Sequence, residues 1–113
     1  MIEKVVRNYL NSVLDVPVLM EKPREEIKRY VLVEKSGSGM ENWVENATFI
    51  IQCYAESLFE AAALNEALKN AMVGPDGIIT LNDISKCELN SDYNYTDTNS
   101  KEYRYQAIYE IYY

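Results

Sequence analysis

Apolar residues recur every three or four positions at the start of the chain, which is the spacing of one side of a helix. This stripe consists of Ile2, Val5, Val6, Tyr9, Leu10 and Val13. Charged and amide side chains fill the opposite side, and Pro17 forces the residue before it into extended geometry. The pattern therefore predicts a helix over Met1–Leu14, a short strand over Val16–Met20 and then an exposed connection.

The next part of the chain has the alternation and the residue types of β-strands. Arg29–Lys35 is rich in β-branched residues, and Asn42–Tyr54 alternates between an apolar side and a mixed side. Ser36-Gly-Ser-Gly39 lies between them, and its two glycines can adopt positive φ, which favours a hairpin loop. The apolar side of the longer strand is predicted to face the core: Trp43, Ala47, Phe49, Ile51 and Cys53.

A second helix is predicted after these strands. Ser57 and Glu60 have the spacing of a capping box, which marks the start of a helix that we expect to reach Val73. Gly74-Pro-Asp-Gly77 then ends it, and the pattern of residues 78–84 does not decide between helix and strand. The apolar stripe of this helix is rich in alanine, which permits close packing on a sheet: Leu58, Ala61, Ala62, Leu68, Ala71 and Met72.

The remaining segment, Asp92–Tyr113, holds seven of the ten tyrosines in the chain. Its alternation predicts a β-hairpin that begins just before this segment. The two strands cover about Cys87–Tyr95 and Glu102–Tyr113, and a turn at Thr96–Lys101 joins them. Aromatic residues suit a half-buried pleated surface, and aromatic pairs across strands hold the register. The side of the second strand that we expect to be buried consists of Tyr103, Tyr105, Ala107, Tyr109 and Ile111.

These elements follow one another in the order α-β-β-β-α-β-β, in a chain whose length suits a single domain over residues 1–113. Two helices and four or five strands predict a two-layer α+β fold, with both helices on one face of a mostly antiparallel sheet. The long strand and the strand after the second helix are either parallel neighbours, joined by a right-handed crossover, or members of separate hairpins. The pattern leaves both arrangements open.

Charge and composition narrow the possible partners. The formal net charge of −7 argues against a surface that binds nucleic acid, although an acidic wall would let nucleic acid pass without adhering. No stretch approaches the roughly 20 apolar residues needed to span a bilayer. The N-terminal segment lacks the apolar centre of a signal peptide, so we expect an intracellular protein with reduced cysteines and no membrane partner.

The sequence offers no recognisable active site. It contains no histidine, the commonest general base, and two cysteines without histidine make a poor metal site. Ser36-Gly-Ser-Gly39 lacks the lysine of a phosphate-binding loop, and Cys53 lies on an apolar strand face without a partner base. We therefore predict a protein that is not an enzyme and that needs no metal or other cofactor.

Several segments resemble small tail-completion proteins of phages and prophages of Gram-positive bacteria, similar to the tail terminators of long-tailed siphophages. The segments that carry the resemblance are Met1–Leu10, Val16–Val18, Tyr30–Gly39, Tyr54–Leu58, Leu89–Thr98 and Tyr103–Ala107. Together they span almost the whole chain. They are positional patterns without a catalytic motif, so the resemblance implies a structural protein.

The resemblance implies a hexameric ring, built from subunits that can stay monomeric until they assemble. Such a ring caps the tail tube, ends tail polymerisation and joins the tail to the head connector. Its partners would be other copies of the chain, the tail tube protein and the head connector protein, with DNA passing through the lumen. The protein would be made in the host cytoplasm and reside in the virion tail. The alternatives are a component of the head–tail connector and a small non-enzymatic prophage regulator.

Two groups of residues are candidates for contacts in such a ring. The mixed strand faces leave more apolar surface than solvent favours, and they supply a candidate subunit interface: Val44, Ile50, Tyr54, Ile108 and Tyr112. The predicted hairpin loop supplies a candidate projection toward the tube or connector: Ser36, Gly37, Ser38, Gly39, Met40 and Glu41. An exposed flexible turn without a partner is the simpler interpretation of the same loop.

Overall fold

The computed structural model describes all residues of the chain, 1–113, and contains one sheet and two α-helices. The helices are α1 (Ile2–Val13) and α2 (Leu58–Met72), and a short 3₁₀ helix covers Ile78–Thr80. The strands are β1 (Val18–Leu19), β2 (Tyr30–Glu41), β3 (Val44–Ala55), β4 (Lys86–Asn94) and β5 (Tyr103–Tyr112). The predicted α+β class and the predicted order of elements are confirmed.

The five strands lie in the order β1-β2-β3-β5-β4. β1 pairs parallel to β2, and every other pair is antiparallel, so the sheet is mixed rather than purely antiparallel. Because β3 and β4 both run antiparallel to β5, they are parallel to each other. They are not neighbours, since β5 lies between them, and the crossover through α2 spans that gap.

Both helices pack on one face of the sheet. α1 buries Ile2, Val6 and Leu10, as its predicted stripe requires, and turns Val13 outward at its last residue. α2 begins where the capping box predicted, because the hydroxyl of Ser57 accepts a hydrogen bond from the backbone N–H of Glu60 at 3.2 Å. Burial of the apolar stripes, rather than intrinsic propensity, holds both helices in place.

The buried face of α2 differs from the predicted stripe. Leu64 and Asn65 are buried, whereas Leu58 is exposed at the first turn. Asn65 is buried because its side-chain amide donates a hydrogen bond to Asp92 of β4 at 2.8 Å. The carboxylate of Asp92 also pairs with Lys69 at 2.9 Å, so this polar contact fixes α2 against the edge of the sheet.

The centre of the core lies between α2 and the pair β3–β5. The predicted inward face of β3 is confirmed for Ala47, Phe49, Ile51 and Cys53, which are all buried. On β5 the predicted face is confirmed for Ala107, Tyr109 and Ile111, while Tyr103 and Tyr105 are only half-buried.

The hairpin between β2 and β3 turns later than predicted. Asn42 and Trp43 form its two-residue turn, and both have positive φ, at 51° and 67°. Ser36–Gly39 lies inside β2, where the register shifts between Lys35 and Gly37 as at a β-bulge. The two glycines therefore lie within a strand beside its irregularity rather than in a turn, and neither has a positive φ. Trp43 lies at the turn instead of facing the core.

Two buried polar atoms have no hydrogen-bond partner within the chain, the hydroxyl of Tyr109 and the side-chain oxygen of Asn65. An unpartnered buried hydroxyl costs folding free energy, because it gives up its hydrogen bonds to water.

We expect Tyr109→Phe to keep the packing of the ring and to raise the free energy of unfolding by about 1 kcal/mol. Tyr109→Ala should lower it by about 3–5 kcal/mol, because it leaves a cavity.

Urea denaturation of the two variants and the native chain measures both changes. A loss of stability in Tyr109→Phe would contradict this account, since it would mean that the hydroxyl makes a favourable contact in the folded chain.

Candidate assembly surface

The face of the sheet turned away from the helices is here called the open face. It is built from alternate residues of β2, β3, β5 and β4, aligned in rows by the register of the sheet. One row runs Leu32, Gln52, Gln106 and Tyr93; the next runs Glu34, Ile50, Ile108 and Ser91; a third ends in Thr48, Glu110 and Glu88. No helix of the chain covers these rows.

The polar side chains of the first row bond to one another. The side-chain amide of Gln52 donates to Gln106 at 2.7 Å, and that of Gln106 donates to the hydroxyl of Tyr93 at 2.5 Å. The hydroxyl of Tyr54 donates to the side-chain oxygen of Gln52 at 2.8 Å, which connects this row to the C-terminal end of β3. Gln106 and Tyr54 are buried, Gln52 is half-buried and Tyr93 is exposed. The bonds among them fix their rotamers and give this part of the open face a defined shape.

An aromatic and cationic cluster closes one end of the open face. Tyr30 stacks on Tyr54 with ring centroids 4.5 Å apart, and the ammonium of Lys22 lies 5.4 Å from the centre of the Tyr54 ring. Arg104 lies 4.8 Å from the centre of the Tyr95 ring and pairs with Glu102 at 2.8 Å. Cation–π contacts of this kind are favourable where water is partly excluded.

This cluster removes Tyr54 from the candidate subunit interface. Only 3% of Tyr54 is exposed, because Tyr30, Lys22 and Arg104 cover its ring. A side chain covered in this way has no surface left to offer another subunit. The sequence predicted Tyr54 as a contact residue because alternation shows on which face of the strand a side chain lies. It does not show which neighbouring side chains cover that residue.

The other four candidate residues keep accessible surface. Ile50 and Ile108 are paired in register at the middle of the open face, where each is half-buried by its neighbours. Tyr112 lies opposite Asn46 near the far end, and Val44 is exposed two residues beyond. The structure thus brings two of the predicted residues into contact and places the other two at the opposite end from Tyr54.

The candidate projection is a strand rather than a loop. Ser36–Gly39 belongs to β2, with Gly37, Ser38 and Gly39 paired to β3, so these residues do not project. Beyond the pair Asn46–Tyr112 the hairpin continues without β5, and its end, Met40–Val44, is here called the arm. Met40 and Glu41 are thus the only predicted loop residues that belong to the projecting part.

The exposed residue that the sequence analysis missed is Trp43, which is 93% exposed at the end of the arm. Its alternation with Ala47 and Phe49 suggested a core position, but the alternation stops where the strand stops. The signal that was available is Asn42, since asparagine readily adopts positive φ at the first position of a two-residue hairpin turn.

The chain shows no arrangement typical of a metal site or a reactive thiol. No group of three or more Asp, Glu, Cys or His side chains is placed to hold a metal ion. Burial raises the pKa of the Cys53 thiol, and burial with the nearby Glu88 raises the pKa of Cys87 to about 12. A nucleophilic cysteine needs a lowered pKa, so both thiols are in environments that disfavour the reactive thiolate.

A scan against models of protein families finds no match, and a search of the curated proteins finds none. None of the helices has the length and apolar character that a membrane crossing requires. The function proposed below therefore depends on the sequence resemblance and on the geometry of the open face and the arm.

The cluster at Tyr30 predicts how stability depends on alkaline pH. Burial and the neighbouring Tyr54 raise the pKa of Tyr30 from 10.0 to about 12, and the pKa of Cys87 rises from 9.0 to about 12. Both groups hold their protons more tightly in the folded chain than in the unfolded chain. Their contribution to stability is therefore complete below pH 9 and is lost as the pH rises toward 12.

We expect the midpoint of urea denaturation to fall across this pH range and to fall less steeply in Tyr30→Phe, which keeps the stacked ring but cannot ionise. An equally steep fall in that variant would show that Tyr30 does not contribute to the pH dependence.

Proposed function

We propose that the chain is a structural subunit of a phage or prophage tail-completion ring, which caps the tail tube and joins it to the head connector. The observation that carries the proposal is the open face, a sheet surface that neither helix of the chain covers. A sheet face with ordered side chains next to a projecting arm gives a subunit surfaces with which to meet identical neighbours. The sequence resemblance supports the same assignment.

A ring requires contacts in which one patch of a subunit meets a different patch of the next, with a rotation that closes. Val44, Ile50, Ile108 and Tyr112 are the proposed contact residues. Each offers apolar surface, and the amides of Gln52 and Gln106 on the same face are already paired, so covering it removes apolar surface from water without leaving these amides unpartnered. The proposal excludes Tyr54 from this contact.

The charge of the chain suits a ring through which DNA passes. The chain contains 18 acidic residues against 11 basic ones, and its formal net charge is −7. Carboxylates repel phosphates, so walls of this composition let a nucleic acid slide without adhering. The proposed location is the virion tail, after synthesis in the host cytoplasm.

Light scattering after size exclusion, with negative-stain images of the same fractions, tests the proposal. We expect annular particles of six subunits, either from the chain alone or after incubation with isolated tail tubes. Capture of capsid portal complexes in place of tail tubes would move the assignment to the head–tail connector. A compact dimer that binds neither would favour the regulator.

The contact residues are tested by placing a charge at the middle of the open face. We expect Ile50→Asp and Ile108→Asp each to abolish ring formation, because the contact would bury an unpaired carboxylate. Circular dichroism should show a folded chain, since both side chains lie outside the core.

Ile50→Val is the matched control, because it keeps an apolar β-branched side chain and should assemble normally. Rings of normal yield from both aspartate variants would exclude the middle of the open face as the contact.

A further inference from the structure

The hydrogen bonds that cross the open face all run in one direction, and together they are here called the series. It begins at Arg104, whose guanidinium donates to the hydroxyl of Tyr54 at 3.4 Å. The Tyr54 hydroxyl donates in turn to the side-chain oxygen of Gln52. The amide of Gln52 donates to Gln106, and the amide of Gln106 donates to the hydroxyl of Tyr93. Each member after Arg104 thus accepts a hydrogen bond from the member before it.

Arg104 is held firmly at the start of the series. Its Nε donates to the backbone oxygen of Tyr95 at 2.8 Å, and its Nη1 donates to the carboxylate of Glu102 at 2.8 Å. The guanidinium also lies over the ring of Tyr95, 4.8 Å from its centre. A guanidinium carries donors only and keeps its proton in folded proteins. The first member of the series can therefore donate to Tyr54 but cannot accept from it.

The two glutamines transmit this direction, because an amide accepts through its oxygen and donates through its nitrogen. The oxygen of Gln52 faces Tyr54, so its nitrogen faces Gln106. The oxygen of Gln106 faces Gln52, so its nitrogen faces Tyr93. Rotation of one amide alone would bring two oxygens or two nitrogens together between the glutamines. The direction of the series can therefore reverse only if both amides turn together.

Burial at the two ends favours the direction that the structure shows. If both amides turned, Tyr54 would face two donors, Arg104 and Gln52, and its own hydrogen would lose Gln52 as an acceptor. Only 3% of Tyr54 is exposed, so an unpaired donor there would cost folding free energy. In the observed direction the last hydroxyl belongs to Tyr93, which is 39% exposed and can donate to water.

We propose that the donor-only guanidinium of Arg104, beside the buried Tyr54 hydroxyl, sets the direction of the series across β3, β5 and β4. The hydroxyl of Tyr93 is thereby presented as a hydrogen-bond donor at the β4 edge of the open face. A molecule that covers Tyr93 must offer an acceptor there, such as a carboxylate or carbonyl oxygen, because a donor or an apolar group would leave the hydroxyl hydrogen unpaired. For a neighbouring subunit this consequence rests on the proposed ring function, whereas the direction itself is a property of the single chain.

Hydrogen exchange of the tyrosine hydroxyls measures the direction in dilute native protein. NMR of chains labelled at the tyrosine ζ carbon, in an equal mixture of light and heavy water, resolves the exchange rate of each hydroxyl. We expect the Tyr54 hydroxyl to exchange roughly tenfold more slowly than that of Tyr93. Nuclear Overhauser effects should connect the amide hydrogens of Gln106 with the ring of Tyr93. Faster exchange at Tyr54 than at Tyr93 would overturn the proposal.

An acceptor in place of Arg104 should reverse the series. In Arg104→Glu the carboxylate accepts the hydrogen of Tyr54, whose oxygen is then free to accept from Gln52 once both amides turn. We expect the Tyr93 hydroxyl to donate to Gln106 and its exchange to slow roughly tenfold. The Overhauser effects should move to the amide hydrogens of Gln52 and the ring of Tyr54. Burial of the two tyrosines does not by itself predict this exchange of roles.

Arg104→Lys is the matched control, because an ammonium also donates and cannot accept, and it should keep the native order of exchange rates. Arg104→Gln offers a donor and an acceptor without a second carboxylate beside Glu102, and it should bring the two rates closer together. A folded Arg104→Glu chain in which Tyr93 still exchanges at the native rate would overturn the proposal, as would unchanged rates in Arg104→Gln. None of these measurements requires a ring, which microscopy judges separately, so the two proposals can fail independently.

Discussion

The antiparallel pairing of β3 with β5 joins two halves of the protein that are far apart in sequence. It runs from Asn46 opposite Tyr112 to Ala55 opposite Tyr103, and α2 packs on it directly. β4 is hydrogen-bonded to β5 alone, and β1 and β2 are connected to β5 only through β3. Without this pairing the chain would consist of two separate hairpins, each too small to bury a core of its own.

The same pairing determines both faces of the sheet. The register that places Phe49 opposite Tyr109 in the core also places Ile50 opposite Ile108 and Gln52 opposite Gln106 on the open face. A slip of one residue would exchange the two sets and turn amides toward the helices. The register that core packing selects therefore also decides which side chains are neighbours on the open face. The amides and the isoleucines there are aligned by that register.

Periodicity in the sequence was sufficient to predict both helices, the α+β class and the central buried residues of β3 and β5, because each is a property of a continuous segment. Features that depend on distant residues could not be read in this way. The burial of Asn65 depends on Asp92, and the burial of Tyr54 depends on Tyr30 and Lys22. The position of β5 between β3 and β4 could not be predicted either, because local patterns do not show which strands pair with each other. The arm was misplaced because glycines inside an irregular strand resemble glycines in a turn.

The glycines of β2 have a further consequence for the behaviour of the protein in a crowded cell. β1 covers β2 only at Val31 and Leu32, so the outer edge of the longer strand is free from Val33 onward. Free, regular strand edges recruit strands of other chains and begin aggregation. Ser36–Gly39 combines low β propensity with a bulge, and Glu34 and Glu41 add charge on either side. The irregular segment thus makes this edge a poor template for strands of misfolded neighbours.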